Sequence, residues 1–428
     1  MKVLAFDTWT KGAHHFERLV PALSAQGITL ILVHLGSWGN DPGRPRQERI
    51  GSLEVRDIAF YGSASFEEVL DIERPDAVIF LWTQSIAHRA FNRYCRQRFI
   101  PTLNLYHGLL SVLVNSKEGG SYKINRLAYT KFVFSKLGKT LKHTLPCYIS
   151  SLIRTRARIG DWVGFISDLM KMAIGKSSLV AADDARTNKC AVYTSADAEH
   201  AVRTYGFASE DVFAVGNPDL ARFGLTQSML GSWSPRSASD RKTIMYIDTG
   251  LAGVGLVFSS REAFRDHLIT TSRALAKQGI GMRFKPKPHP ADVLAFLEQS
   301  LDGTGIELIS NENFLGKLRE CAACVVESTT LALIPALMGM PLLYANYNEL
   351  RQLRFGPALT SYPRGYMLRN VSDVSNILDE VHKRFDPGAI NDWISLNAGP
   401  LPPDMMPYRV ADVVKSMLTG GSTPHSVQ

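Results

Sequence analysis

Apolar and polar positions run in blocks along this chain, and the period changes from block to block. Residues 2–6 are a mostly apolar run closed by Asp7, and residues 28–34 form a second. Asp76 to Trp82 (Asp-Ala-Val-Ile-Phe-Leu-Trp) is a third. Such runs predict strands buried on both faces of a parallel sheet. Between them the spacing becomes helical, over His14 to Ala25 and near Ser85 to Gln97. Pro101 to Tyr106 predicts a further strand, ending in His107-Gly108. Strand and helix in alternation predict an α/β, Rossmann-like first half.

The alternation stops after Gly108 and resumes at Cys190. In between, Ile159, Trp162, Val163, Phe165, Ile166, Leu169, Met170 and Ala173 recur at helical spacing, which predicts helices, at least one of them amphipathic. Cys190 to Ser195 predicts a strand and Ala196 to Tyr205 a helix. Ser232 to Arg241 is Ser/Pro-rich and polar, the pattern of a linker. Alternation then begins afresh, with strands at 243–247, 281–284, 306–309, 323–326 and 341–345. Helices are predicted at 260–278, 292–300, 313–320, 331–338, 371–385 and 409–418. The expected domains are therefore 1–235, carrying a helical insertion at about 109–178, then 236–402, then a C-terminal helix and flexible tail at 403–428.

Composition changes this picture little. A chain of 428 residues is long enough for two or three cored domains, and 45% hydrophobic with 21% charged residues is ordinary for a soluble protein. No run of about 18 apolar residues occurs, so no transmembrane helix is expected. The first residues read as a strand without a signal-peptide core. Five cysteines, mostly in apolar contexts, fit reduced thiols and a cytoplasmic location. Cys321-Ala-Ala-Cys324 has no second pair to complete a metal site and reads as core packing.

Charge changes it more. Between Lys117 and Lys176 stand twelve Lys and Arg against three acids, which accounts for the whole net charge of +8. Two readings follow. The insertion meets an anionic membrane surface or an acceptor, so that the protein works peripherally on the inner face of the cytoplasmic membrane. Or it is a helical hairpin packed on the domain with a solvated basic face. Nucleic acid ranks last as a partner, because interleaved aromatics are few and no RRM, KH or zinc-finger pattern is present.

Candidate chemistry gathers at predicted strand ends, where open α/β sheets bind ligands. The first half offers Asp7-Thr8, His14-His15, His34, Thr83 and His107. The second offers Asp248-Thr249-Gly250, Lys285 to Pro290, Ser310-Asn311-Glu312 and Glu327-Ser328-Thr329-Thr330. Arg283-Phe284-Lys285-Pro286-Lys287-Pro288-His289-Pro290 packs three prolines and several cations into a strand-to-helix turn, stiff and suited to an anion. Ser328 and Thr329, ahead of an apolar helix, suit helix capping and phosphate binding alike.

Two Rossmann-like halves, a linker and a late helix resemble the GT-B glycosyltransferases. The expected fold class is thus α/β and GT-B-like, two Rossmann-like domains facing across a cleft, with the basic helical insertion in the first. Lys-Pro-His289-Pro290 followed some 40 residues on by Ser328-Thr329 resembles the bacterial capsule and teichoic-acid transferases: the polysialyltransferase-like, Kdo-transferase-like and CDP-glycerol glycerophosphotransferase-like enzymes. His107-Gly108 and Val215-Gly216-Asn217-Pro218 are similar to turns of the last group. The first 100 residues and the insertion carry no such resemblance.

The resemblance implies an inverting transfer without metal or other cofactor, from a CMP- or CDP-activated donor to a glycan or lipid-linked acceptor. A CMP-linked acidic sugar, sialic-acid-like or Kdo-like, is the favoured donor, with CDP-glycerol or another nucleotide sugar as the variant. It implies that His289, followed by Pro290 on the donor side, contacts the donor phosphate and stabilises or protonates the leaving group, that Lys285 and Lys287 add positive charge, and that Ser328 and Thr329 bind the same phosphate. Asp248, Thr249, Gly250, Glu327 and Thr330 complete the expected donor side. A hydroxyl acceptor needs a base, a carboxylate or neutral imidazole. Asp7, His14, His15 and His107 are the candidates, and the choice among them stays open. A UDP-N-acetylglucosamine 2-epimerase-like enzyme shares the fold, but would need no lipid-facing basic insertion.

Overall fold

The structure, a computed structural model, describes residues 1–8, 12–38, 43–62, 65–109, 140–173, 183–234, 242–250, 257–287, 291–383 and 385–419. It divides into two compact units. One comprises the described residues within 1–108, 132–216 and 404–428; the other holds Leu109 and those within 217–403.

The first unit is built on eight strands: β1 (Lys2–Asp7), β2 (Thr29–His34), β3 (Gln47–Ile50), β4 (Leu53–Asp57), β5 (Ala77–Phe80), β6 (Thr102–Leu105), β7 (Lys189–Val192) and β8 (Val212–Ala214). Their order is β3-β4-β2-β1-β5-β6-β7-β8. Every neighbouring pair is parallel except β3 and β4. The helices are α1 (Ala13–Glu17), α2 (Val20–Ala25), α3 (Phe66–Glu73), α4 (Ile86–Gln97), α5 (Leu145–Arg154), α6 (Ile159–Ala173) and α7 (Ser195–Tyr205). The core lies where α3 and α4 cover the sheet. Phe6 stacks on Phe91 at 4.3 Å and meets Phe66 edge-on at 5.4 Å.

The long helix predicted over 14–25 is two short ones. Pro21 lacks an N–H, and its ring crowds the carbonyl of Glu17, so the chain breaks at Arg18 and Leu19. The β3–β4 hairpin and α3 were not expected from the sequence, although β4 alternates buried Leu53 and Val55 with half-buried Glu54 and Arg56. The edge strand of the hairpin reads Gln-Glu-Arg-Ile, and charge on an edge strand keeps the ladder from pairing further.

Part of the insertion, 110–139 and 174–182, lies outside the described residues. The described part is α5 and α6, held to α4 by a buried cation. The Arg89 guanidinium donates to Asp184 (2.7 Å), Asp168 (2.9 Å) and the Tyr148 hydroxyl (2.9 Å). A buried charge survives only when paired and hydrogen-bonded this fully.

The second unit has a six-stranded, wholly parallel sheet: β9 (Thr243–Ile247), β10 (Gly281–Lys285), β11 (Glu307–Leu308), β12 (Ala323–Val326), β13 (Leu342–Ala345) and β14 (Gly365–Leu368). The order is β11-β10-β9-β12-β13-β14. Its helices are α8 (Pro218–Arg222), α9 (Arg261–Ala276), α10 (Ala291–Leu301), α11 (Phe314–Arg319), α12 (Leu333–Leu337), α13 (Pro357–Thr360), α14 (Val374–Lys383) and α15 (Pro387–Asn397). β14 and α15 were not expected from the sequence. The helix predicted over 331–338 begins as a 3-10 turn at Thr330–Ala332 and is α-helical only over α12, because Pro335 cannot accept a helical turn ahead of it. Cys321 and Cys324 are buried free thiols.

The last helix, α16 (Met406–Thr419), returns to the first unit. Asp412 there accepts from the Gln26 amide at 2.8 Å, and Arg409 donates to the Val215 carbonyl at 3.1 Å.

Candidate functional site

In the second unit the chain runs from β9 outward through β10 to β11, then crosses back to place β12 on the other side of β9. Such a reversal opens a crevice at the carboxyl ends of the central strands. Three of the expected segments meet there. Asp248-Thr249-Gly250 follows β9, Lys285-Pro286-Lys287 ends β10, and Glu327 to Thr330 follows β12.

Two carboxylates lash these turns together. Asp248 accepts from the Gly250 amide at 2.5 Å and from the Lys287 amide at 3.4 Å. Glu327 accepts from the Thr249 amide (3.0 Å), the Thr249 hydroxyl (2.7 Å) and the Tyr246 hydroxyl (2.8 Å). Glu327 is fully buried, and burial, then the charge of Asp248, pushes its carboxyl well above the usual range. These acids are spent on holding the backbone in place.

The groups left over favour an anion. Lys285 is 3% exposed, and its ammonium donates to two neutral acceptors, Asn311 Oδ1 at 2.8 Å and the Pro286 carbonyl at 3.1 Å. Burial lowers its pKa to about 8. The Lys287 stem lies over Gly250, where an added Cβ would stand 3.3 Å from Lys287 Cδ. Gly250 has φ +83°, so both the conformation and the close approach call for glycine. Ser328 Oγ is buried and has no hydrogen-bond partner among the described residues. Thr329 Oγ1 accepts from the Leu331 amide at 3.3 Å, an N-cap. With α12 so short, side chains rather than a helix dipole supply the attraction. His289 and Pro290 lie outside the described residues.

A second concentration of polar groups lies wholly in the first unit. β1, β5 and β6 are neighbours there, and the switch in strand order again falls beside the first strand, between β1 and β5. A pocket of about 390 Å³ opens at their carboxyl ends, lined by Asp7, His14, His15, Ser85, His88 and His107 among others. The His14 and His15 rings are 3.9 Å apart, and His15 lies 5.1 Å from His107. His107 Nδ1 sits 3.3 Å from the Leu81 carbonyl. Asp7 is 5% exposed, and one of its oxygens accepts from the Thr8 amide at 2.6 Å. Gly12 makes room for it, since a Cβ there would come within 2.6 Å of Asp7 Oδ2.

His88 was not anticipated, because nothing in the helical stretch Ile-Ala-His-Arg-Ala distinguishes a site histidine from a core one. It is buried, and its Nδ1 lies 2.6 Å from Ser85 Oγ. Its Nε2 faces Asp7 Oδ1 at 3.8 Å. Burial, reinforced by His107, drives its pKa down to about 3, so the ring is neutral at ordinary pH. Ser85 caps α4 by accepting from the His88 amide at 3.4 Å, and His88 Nε2 is buried with no hydrogen-bond partner among the described residues.

Other expected groups stay apart from these clusters. His34 is buried against Asp57 at 3.2 Å. Two further cations of the second unit are engaged elsewhere: Arg283 by Glu307 (2.8 Å) and Glu320 (2.5 Å), Arg261 by Glu262 (3.1 Å). Among the described residues no group of three or more His, Cys, Asp and Glu is placed to hold a metal ion.

No family model matches this sequence, and no curated protein does. Solved structures match along nearly the whole chain. CalG4, the calicheamicin glycosyltransferase, is 15% identical, with 99% of each chain covered and a TM-score of 0.51. The H444N variant of the wall teichoic acid polymerase TagF is 12% identical, covering 97% of this chain and 89% of that one, with a TM-score of 0.50. The UDP-GlcNAc 2-epimerase of Methanocaldococcus jannaschii, in complex with UDP-GlcNAc and UDP, is 12% identical over 97% and 99%, with a TM-score of 0.49. At these identities the likeness is one of fold: two Rossmann-like domains of the GT-B type, as the sequence implied.

Proposed function

We propose that this GT-B-fold chain is a glycosyltransferase that holds a nucleotide-sugar donor by its phosphate on the second unit and activates an acceptor hydroxyl in the first. One observation carries the reading: the three turns after β10, β9 and β12 lie side by side, braced by Asp248 and Glu327, with Lys285 hydrogen-bonded only to neutral oxygens and Ser328 Oγ without a partner among the described residues. A donor phosphate supplies what both lack. CalG4 and TagF, a glycosyltransferase and a wall teichoic acid polymerase, support a transferase on this fold.

The finer assignment rests on the motif resemblance. The donor is a CMP-linked acidic sugar, the transfer inverting and metal-independent, and the product a bacterial surface polysaccharide. In that reaction the acceptor oxygen attacks the anomeric carbon while the bond from that carbon to the phosphate oxygen breaks. Lys285, Lys287, Ser328, Thr329 and His289 stabilise the charge that develops on the leaving nucleotide. The acceptor proton passes to a base, which we assign to Asp7. Neutral His88, its Nε2 3.8 Å from Asp7 Oδ1, packs beside that base, and His107, His14 and His15 line the acceptor pocket. Since the lysines supply the positive charge at the leaving group, activity should survive EDTA.

A thermal-shift panel of CMP, CDP, UDP and GDP tests the donor side. Selective stabilisation by a cytidine nucleotide, lost in His289→Ala, is expected. Selectivity for UDP would move the donor to the nucleotide bound by the epimerase neighbour; no shift with any nucleotide would sink the phosphate site. Asp7→Asn should keep the shift while turnover falls by about 10²–10⁴. An epimerase would instead convert UDP-N-acetylglucosamine, with no acceptor present and the nucleotide still attached.

A further inference from the structure

The helical spacing over residues 159–173 splits into two apolar faces rather than one. Trp162, Phe165 and Leu169 turn inward against the core of the first unit. Ile159, Val163, Ile166 and Met170 turn outward and are 84%, 61%, 54% and 68% exposed. Their spacing of four, three and four residues sets them in one narrow stripe along α6. Four large apolar side chains in a row on the outside of a helix are not the scatter of an ordinary surface.

Charge around the stripe is one-sided. The two acids of α6 are withdrawn from it: Asp161 pairs with Arg93 at 3.3 Å and Asp168 with Arg89 at 2.9 Å. Arg156 and Arg158, in the turn that leads into α6, are exposed, and their guanidinium groups pair with no carboxylate among the described residues, while the Arg158 amide donates to Asp161 at 3.1 Å. Ile153, at the end of α5, is a further apolar side chain 63% exposed. An apolar stripe with a cationic approach and no facing acid is the chemistry of a helix that lies in the interface of an anionic bilayer. A protein partner would more often bring acids and apolar groups in a fixed pattern; a lipid surface asks only for this combination. No helix among the described residues is long and apolar enough to cross a membrane.

We propose that the outer stripe of α6, Ile159, Val163, Ile166 and Met170, with Arg156 and Arg158 beside it, docks the protein on an anionic lipid surface. This goes beyond the transferase reading and does not depend on it.

Sedimentation with vesicles of phosphatidylcholine alone, and of phosphatidylcholine with 30% phosphatidylglycerol (roughly, to mimic an anionic leaflet), tests it on the full chain. The expected result is binding to the anionic vesicles that weakens but persists at high salt, since apolar insertion is not screened. Val163→Ser with Ile166→Ser should lower partitioning by about tenfold or more at either salt. Arg156→Glu with Arg158→Glu should cost roughly thirtyfold at low salt and little at high salt. All four positions face solvent, so circular dichroism and the melting temperature should match those of the parent, and the nucleotide shift should be unchanged. Absence of binding by the parent, or equal binding by parent and serine variant, overturns the proposal. So does a concentration-dependent dimer that the serine variant abolishes, which would make a second copy the occupant.

Discussion

Lys285 is held at the end of β10 with its ammonium nearly buried and only neutral oxygens bonded to it. Burial, with the charge of Arg222 behind it, disfavours the charged form, and its pKa falls to about 8. Because the folded value lies below the ordinary lysine value, the site carries this charge below about pH 8 and loses it as pH rises through that point. Nucleotide phosphate is already ionised there, its second pKa being about 6. Affinity for a nucleotide should therefore decline between pH 7 and pH 9, measured by titration calorimetry. Lys285→Gln should weaken binding about 10- to 100-fold at pH 7, the loss of one charge-assisted hydrogen bond, and should flatten the profile. A parent profile that stays level to pH 9 would remove Lys285 from the phosphate site. The residue was legible in the sequence because a lysine between a strand and a proline must sit at a strand end. Its burial was not, since that depends on Phe314 and Asn311, brought in from α11 and the loop before it.

At the scale of elements, the turns that follow β1 and β9 are set by close packing as much as by hydrogen bonds. Gly12 precedes α1 with φ −81°, a conformation open to any residue. Its constraint is space: a methyl group would lie 2.6 Å from Asp7 Oδ2 and 3.0 Å from Leu81 Cδ1. Gly12→Ala should therefore displace the Asp7 carboxylate rather than unfold the turn. Turnover should fall at least about tenfold with the melting temperature within a few degrees of the parent, as for a misplacement near the chemistry. Equal turnover would show that Asp7 need not hold this position. Sequence pattern found most strands and the strand-end turns, because buried parallel strands are continuous apolar runs. It passed over the β3–β4 hairpin and α3, whose patterns are short, and over β14 and α15, which packs Trp393 against Tyr362 at 4.7 Å. It also joined α1 to α2 by reading period and overlooking Pro21. His88 was hidden for a related reason. Its role comes from lying beside Asp7, and adjacency of β1 and α4 is a property of the packed sheet, not of a local run.

For the whole molecule, the excess of positive charge and the two polar clusters fall on different parts of the chain, and this separates their functions experimentally. The insertion holds the cations, the switch point of the second sheet holds the braced turns, and the switch point of the first holds Asp7 and the histidines. A ligand that binds the native state slows the opening of the backbone it contacts, and at 100 times Kd the gain is about 2.7 kcal/mol. Hydrogen exchange followed by mass spectrometry over the full chain should therefore report the donor nucleotide at 248–250, 285–287 and 327–330. Peptides from α5 and α6 should exchange as before, and should slow only when anionic vesicles are added. Glu327 makes the nucleotide arm sharper. Its three hydrogen bonds tie the third turn to the first, so protection should appear in both turns together, and Glu327→Ala should loosen both without nucleotide. Protection confined to peptides carrying Asp7, His14 and His107 would transfer the nucleotide to the first unit and leave the lysine turn without a ligand.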